Sequence, residues 1–219
     1  MLPIISIVGA SNSGKTTFLE KLIPELSARG YRIGAIKHDV HGFEIDREGK
    51  DTWRLKKAGA HTVAISSPNQ VASIRQVGAE LELSEIAARL FWTEDILLTE
   101  GFKSSNFPKI EIFRSAVEPQ PICGPENNLV GIVTDDPVGI AVPRFSFAAV
   151  SDVADFIADR YLKDRKKSNI LVQLDGKQLP MNDFVKDFMV GGIKGMLSSL
   201  RGWKKPRTIS IHVRLEDQD

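Results

Sequence analysis

The sequence predicts an α/β fold of three layers, a mostly parallel sheet between helices, followed by a small C-terminal β-α-β appendage. Short apolar runs at Ile4–Val8, Ile33–Ile36, Thr62–Ser66, Ile96–Thr99 and Leu129–Val133 alternate with stretches of helical period. The first run leads directly into Gly9–Thr16, which satisfies G-x-x-x-x-G-K-[ST] at every fixed position, and then into Phe18, Leu19, Leu22, Ile23 and Leu26 at helical spacing. Strand, loop and helix in that order define a phosphate-binding loop. Finally, composition shifts at the charged stretch Lys163–Ser168. The chain is therefore expected to divide into a P-loop nucleotide-binding domain at 1–162, a charged linker at 163–169, and a small α+β module at 170–219.

Each element has a local cause. The first helix is predicted over Thr16–Arg29, stopped by Gly30 in a left-handed cap, with a bend at Pro24 where a backbone bond to Glu20 is lost. Asp39–Gly49 is polar and Gly-punctuated, hence a loop, anchored by Phe43 and Ile45. Asp51 is expected to cap a short helix that ends at Gly59. Thr62–Ser66 reads as a third strand of the sheet, broken by Pro68 before Val71–Ile74 resumes an extended pattern. Ser84 is expected to cap a helix carrying Leu83, Ile86, Ala87 and Leu90. Ile96–Thr99 suits a central strand covered on both faces. Lys109–Arg114 alternates and reads as half-exposed, antiparallel and near an edge; Ser115–Asn128 is Pro- and Asn-rich loop. Ser151 opens a helix with Val153, Phe156, Ile157 and Tyr161 on one stripe. Beyond the linker, Asp175–Lys177 signals a hairpin, Asn182 or Asp183 opens an amphipathic helix through Leu200, and Ile209–Leu215 alternates as a closing strand.

Bulk properties exclude several classes. Net charge is +1 and the apolar fraction 42%, so the chain is neither disordered nor dominated by a field that would recruit nucleic acid or membrane. The single cysteine, Cys123, rules out an internal disulfide and a cysteine-based zinc site and reads as a spare loop thiol. No basic n-region with a small-residue cleavage site opens the chain, and no apolar run approaches the roughly 20 residues of a membrane span. A soluble, cytoplasmic protein is expected, with no membrane or nucleic-acid partner; the basic patch Lys204, Lys205 and Arg207 beside Trp203 reads as an exposed rim.

The chemistry must gather at the carboxyl ends of the parallel strands. Backbone N–H groups of Gly9, Ala10, Ser11, Asn12, Ser13 and Gly14, with the helix behind them, are expected to face phosphates, joined by Lys15 as a point charge and by Thr16 and Thr17. The Thr16 hydroxyl is placed to ligate Mg2+, and Glu100, the acid ending an apolar strand, is placed like a Walker-B carboxylate, whereas Asp95 sits at the wrong end. Lys15 and Glu100 are the expected catalytic pair. The loop His38–Asp51 is long enough to fold over a second ligand through Arg47 or Lys50; its H-x-x-H pair lacks the two further ligands zinc would need.

Residues Ile7–Thr17, Lys21–Leu26, Gly34–His38, Asp46 with Gly49–Asp51, Lys57–Ala60 and Leu97–Lys103 resemble the molybdopterin-guanine dinucleotide biosynthesis protein B family over about residues 1 to 140. The I-K-H, G-K-D and E-G-F-K pieces carry the resemblance, since other P-loop NTPases share only the phosphate loop. It implies a P-loop NTPase three-layer fold, GTP as the ligand with Mg2+, weak GTPase activity, a homodimer, and assistance to the molybdenum cofactor guanylyltransferase. Molybdopterin or its guanine dinucleotide would be the second ligand. No N-K-x-D guanine-reading motif is present, so Asp135 or Asp136, at a strand end, is the expected base reader. Ala10 and Ser11 stand where some dimeric relatives of the fold carry a lysine that completes a neighbour's site. Two other functions fit the motif: a small-molecule kinase using Asp39 or Asp46 as base, and a nucleotide-gated adaptor without relevant hydrolysis.

Overall fold

The structure is a computed structural model that describes residues 2–163, 170–174, 177–204, 206, 209–211 and 213. Six parallel strands form the central sheet: β1 (Ile4–Val8), β2 (Ile33–Lys37), β5 (Ile96–Glu100), β6 (Lys109–Ile112), β7 (Leu129–Val133) and β8 (Arg144–Phe145), in the order β2-β5-β1-β6-β7-β8. The strand bearing the phosphate loop is therefore internal. Its alternate side chains serve two layers. Ile5 and Ile7 pack with helix α1 (Lys15–Ala28) through Phe18, Leu22 and Leu26 and with helix α4 (Val150–Ile157) through Val153 and Ile157. On the other face Ile4 meets helix α3 (Leu83–Leu90) through Leu83 and Ala87, and Val8 meets Cys123 and Leu129. Completely burying such a side chain stabilises by about 1.5–3 kcal/mol, so this two-sided core fixes where β1 must end.

Several boundaries move by a residue or two. Helix α1 is continuous through Pro24 and is not divided there; its carboxyl end turns at Gly30, φ +87°. The N-cap positions of α2 (Asp51–Lys57), α3 and α4 are Lys50, Glu82 and Ala149, none with a side-chain cap, in place of Asp51, Ser84 and Ser151. Past Ile157, α4 continues as a π-helical turn, Ala158–Leu162.

Two expectations are corrected. The run Thr62–Ser66 (β3) is not in the central sheet: it pairs antiparallel with Val71–Arg75 (β4) in a separate hairpin, the Ser67–Gln70 turn returning the chain before any crossover can form. Strand β6 is neither exposed, antiparallel nor at an edge. It runs parallel between β1 and β7 with all four residues buried. Its charges mislead because each finds backbone partners in the segments that precede and follow the strand. Lys109 Nζ donates to the carbonyls of Ser105, Phe107 (3.3 Å) and Asn127 (2.7 Å). The Glu111 carboxylate accepts from the amides of Ile122 (2.8 Å) and Cys123 (3.0 Å). A loop laid against a sheet needs such partners, because its own backbone groups are otherwise unsatisfied. Cys123 is consequently buried, and burial pushes its thiol up.

Burial likewise raises the Glu111 carboxyl, more than its two amide donors lower it. A carboxyl raised in the folded state contributes stability that is complete below its unfolded value and fades as pH rises through the native one. Relative to Glu111→Gln, the wild type should lose stability as pH climbs from below the ordinary value of 4.5 to neutrality, read as the urea midpoint of each protein against pH.

The linker expected at 163–169 lies, from residue 164 on, outside the described residues; beyond it Gln173–Leu174 (β9) pairs antiparallel with Lys177–Gln178 (β10), and helix α5 (Asp183–Ser198) follows, capped by the Asn182 side chain accepting from the Val185 amide at 2.9 Å. Within the described residues none of its side chains is fully buried, and Phe184, Phe188 and Met196 are exposed. The closing strand expected at Ile209–Leu215 falls partly outside the described residues; residues 209–211 and 213 are in no regular element. Of the basic patch, Lys205 and Arg207 also lie outside them. No helix among the described residues is long and apolar enough to cross a membrane.

Candidate nucleotide site

Between β1 and α1 the chain makes a tight turn, closed by the Ser13 amide donating to the Ala10 carbonyl at 3.3 Å. Gly9 (φ +142°), Asn12 (φ +62°) and Gly14 (φ +101°) take positive φ, the kind of backbone that builds an anion-binding nest, at the amino terminus of α1. The turn is wedged: a Cβ on Gly9 would collide with the Ile112 carbonyl oxygen of β6 and lie 2.8 Å from Ser13 Oγ. Ser13 is buried, its hydroxyl without a partner among the described residues; Ala10 and Gly14 are half-buried, while Ser11, Asn12, Thr16 and Thr17 face solvent. Lys15 Nζ donates back to the carbonyls of Gly9 (3.1 Å) and Ala10 (2.7 Å). Burial holds this ammonium below its ordinary range, Glu100 nearby opposing that and Lys37 reinforcing it.

Strand β5 brings Glu100 to the same place. The Thr16 hydroxyl donates to Glu100 Oε2 at 2.7 Å, across 84 residues of sequence, and Lys37 Nζ, ending β2, lies 4.0 Å from Glu100 Oε1. Parallel pairing of β1 with β5 (Ile7 beside Glu100) and of β2 with β5 (Lys37 beside Glu100) enforces this juxtaposition. A hydroxyl and a carboxylate held together beneath a phosphate nest form a hard-oxygen donor set that fits Mg2+, which characteristically keeps most of its waters and takes one or two protein ligands. Asp95, at the opposite end of β5, accepts instead from the Arg32 amide at 2.9 Å.

The root of the loop after β2 is pinned to this centre. The His38 amide donates to the Glu100 carbonyl (2.9 Å), its ring stacks on Phe102 at 4.4 Å, and its Nε2 shares a 2.7 Å hydrogen bond with Glu80. Glu80 has no sequence signal, since it reaches the site only through the loop after the β3–β4 hairpin. Further out the loop opens: Phe43 and Ile45, expected as anchors, are exposed, as are Arg47 and Lys50. The Asp39 and Asp46 carboxylates are spent locally, Asp39 on the His41 amide and Asp46 on the Arg47 amide and the Thr52 hydroxyl, which hold Asp46 below the usual carboxylate range. A cavity of about 210 Å3 lies beside it, walled by Trp53, Lys56, Lys57 and Gln76. No group of three or more His, Cys, Asp or Glu side chains fit to hold a metal occurs among the described residues.

On the other side of β1, three strand ends are knit together. Asp135 Oδ1, after β7, accepts from the Phe147 amide (3.2 Å), and Asp136 Oδ2 accepts from the Ser115 amide (2.7 Å). Arg114, just past β6, donates from Nε to the Ser13 carbonyl (3.1 Å) and lays its guanidinium over the Phe147 ring at 3.7 Å. Sequence reasoning missed Arg114 because it took β6 as antiparallel, which would have put this residue at the opposite edge of the sheet.

An all-parallel sheet with a phosphate nest, its lysine, and a Thr–Glu pair at one edge places the protein in the P-loop NTPase class of α/β folds. Residues 4–135 match the family described as molybdopterin guanine dinucleotide synthesis protein B. Two bacterial proteins named molybdopterin-guanine dinucleotide biosynthesis adapter protein are similar: that of Haemophilus influenzae, 36% identical over 71% of this chain and 88% of its own, and that of Escherichia coli, 34% identical over 73% and 93%. The crystal structure of Bacillus subtilis MobB superposes with a TM-score of 0.57 at 30% identity, covering 75% of this chain and all of that one. The chain belongs to the MobB family.

Proposed function

We propose that this protein is an adapter in molybdopterin-guanine dinucleotide biosynthesis that binds Mg·GTP at the Gly9–Thr17 loop, hydrolyses it slowly, and acts in the cytoplasm as a homodimer beside the guanylyltransferase. The observation that carries the reading is the Thr16–Glu100 hydrogen bond of 2.7 Å at the mouth of the nest, in a chain of this family. When bound, Mg2+ neutralises charge on the outer phosphates. The chain's own part is positional: the loop amides and Lys15 hold the triphosphate, Glu100 and Thr16 orient the cation, and the Lys37–Asp51 loop, with the cavity beside Trp53, faces the second ligand, molybdopterin or its guanine dinucleotide. A small-molecule kinase is less well supported, because Asp39 and Asp46, the acids it would use to activate an acceptor hydroxyl, are already committed to local turns.

Isothermal titration with GTP, with and without magnesium, tests this reading. Thr16→Ala or Glu100→Gln should weaken binding by about tenfold with magnesium and leave it unchanged without, since each removes one charge-assisted contact to the hydrated cation and none to the phosphates. Equal loss under both conditions would remove the metal role from the pair. Copurification of the guanylyltransferase in GTP, lost on adding a chelator, checks the adapter role.

A further inference from the structure

We propose that Arg114 is a specificity-determining residue that reads the base of the bound nucleotide, its guanidinium donating to the O6 and N7 acceptors of guanine while Asp135 accepts from the N1 and N2 edge. The inference rests on the reading that the loop binds GTP and goes beyond it. Strand order sets the direction of the nucleotide. Glu100, on β5, lies on one side of β1, so the outer phosphates point there; the base must lie toward the other side, where β6, β7 and β8 end. Those three ends present Arg114, Asp135 and Phe147. Arg114 Nε is anchored on the Ser13 carbonyl and the cation rests on the Phe147 ring, which together fix the plane of the fork. Its two terminal NH2 groups make no hydrogen bond among the described residues, and the residue is exposed. Asp135 is fixed in the same way, with Oδ1 on the Phe147 amide and Oδ2 unpartnered among the described residues. Two free donors of a planar guanidinium match the O6/N7 pair of guanine; adenine instead sets an N6 donor against the arginine and an unprotonated N1 acceptor against the aspartate. This explains how the chain reads guanine without an N-K-x-D motif.

The test is displacement of a fluorescent GTP analogue, with magnesium, by GTP, 7-deaza-GTP and ATP. The wild type should bind 7-deaza-GTP, which lacks the N7 acceptor, several-fold more weakly than GTP, and ATP more weakly still. Arg114→Lys, which keeps the charge but not the fork, should bind GTP and 7-deaza-GTP equally and lose about tenfold of the preference for GTP over ATP. Wild-type binding that ignores the N7 substitution overturns the inference even if the variant fails to fold. So does an Arg114→Lys protein that weakens toward GTP and ATP by the same factor, because the arginine would then only tether the loop. A wild type that binds no nucleotide at all overturns the GTP reading itself, and this proposal with it.

Discussion

Lys15→Ala is expected to weaken Mg·GTP binding by at least a hundredfold while leaving the fold intact. The Lys15 ammonium sits over the loop, 3.1 and 2.7 Å from the carbonyls of Gly9 and Ala10, and these are the only hydrogen bonds it makes among the described residues. On the proposed nucleotide binding, that charge is expected to exchange two neutral acceptors for anionic phosphate oxygens. Charge-assisted hydrogen bonds are worth about 1.5–3 kcal/mol each, so losing two of them removes about 3–6 kcal/mol, a factor of a hundred or more. The fold is spared for separate reasons. Lys15 is the first residue of α1, where alanine is the best helix former, and the half-buried carbonyls it leaves can turn to water. Titration calorimetry beside a urea melt separates the two effects; binding within threefold of the wild type would remove Lys15 from the site.

Gly9→Ala, by contrast, should damage stability and binding together. The new methyl would collide with the Ile112 carbonyl, and Gly9 itself has a φ of +142°. The carbonyl cannot retreat, because β6 is clamped on one side to β1 (Val8 beside Glu111) and on the other to β7 (Ile112 beside Val133). Backbone strain of this kind costs about 1–3 kcal/mol, and overpacking a closed site a similar amount. A loss of about 3 kcal/mol, near 10 °C in Tm for a domain of this size, is expected. Gly14→Ala is the control: φ is +101°, but the nearest atoms to its Cβ, on Arg114, are 3.9 Å away, so only strain remains and the loss should be about half as large. Equal destabilisation of the two variants would show that Ile112 does not wall the loop.

The parts of this architecture that could be read from sequence are those whose cause is local. The nest between β1 and α1 is written in glycine spacing, and Glu100 could be chosen over Asp95 because polarity runs one way along a parallel strand. Strand β6 was opaque because Lys109 and Glu111 follow the alternation of a solvent-washed strand; what makes them interior is backbone on either side of the strand that folds back to offer carbonyls and donate amides, and the residue pattern does not show that return. The error carried forward: with β6 taken as antiparallel, Arg114 had no reason to lie near Ser13. The β3–β4 hairpin was lost in another way, since an apolar run such as Thr62–Ser66 fits a sheet interior and a two-stranded ribbon alike, and only the Ser67–Gln70 turn decides. Glu80 reaches His38 across 42 residues, a contact that only the folded chain discloses.

The register of β1 also governs when the protein can assemble. Its neighbours are β5 and β6, and β2 too waits for β5, so the first two strands never pair with each other. At a synthesis rate of about 5–20 residues per second, Ile4–Val8 leaves the ribosome roughly 5 to 20 seconds before Ile96–Glu100 exists to receive it. During that interval a strand whose five residues are all buried in the folded protein has no hydrogen-bonding mate. The loop after β1 is thus translated well before the strand that fixes it, and a nascent chain stalled before Glu100 would expose a bare strand edge to chaperones and to its own neighbours.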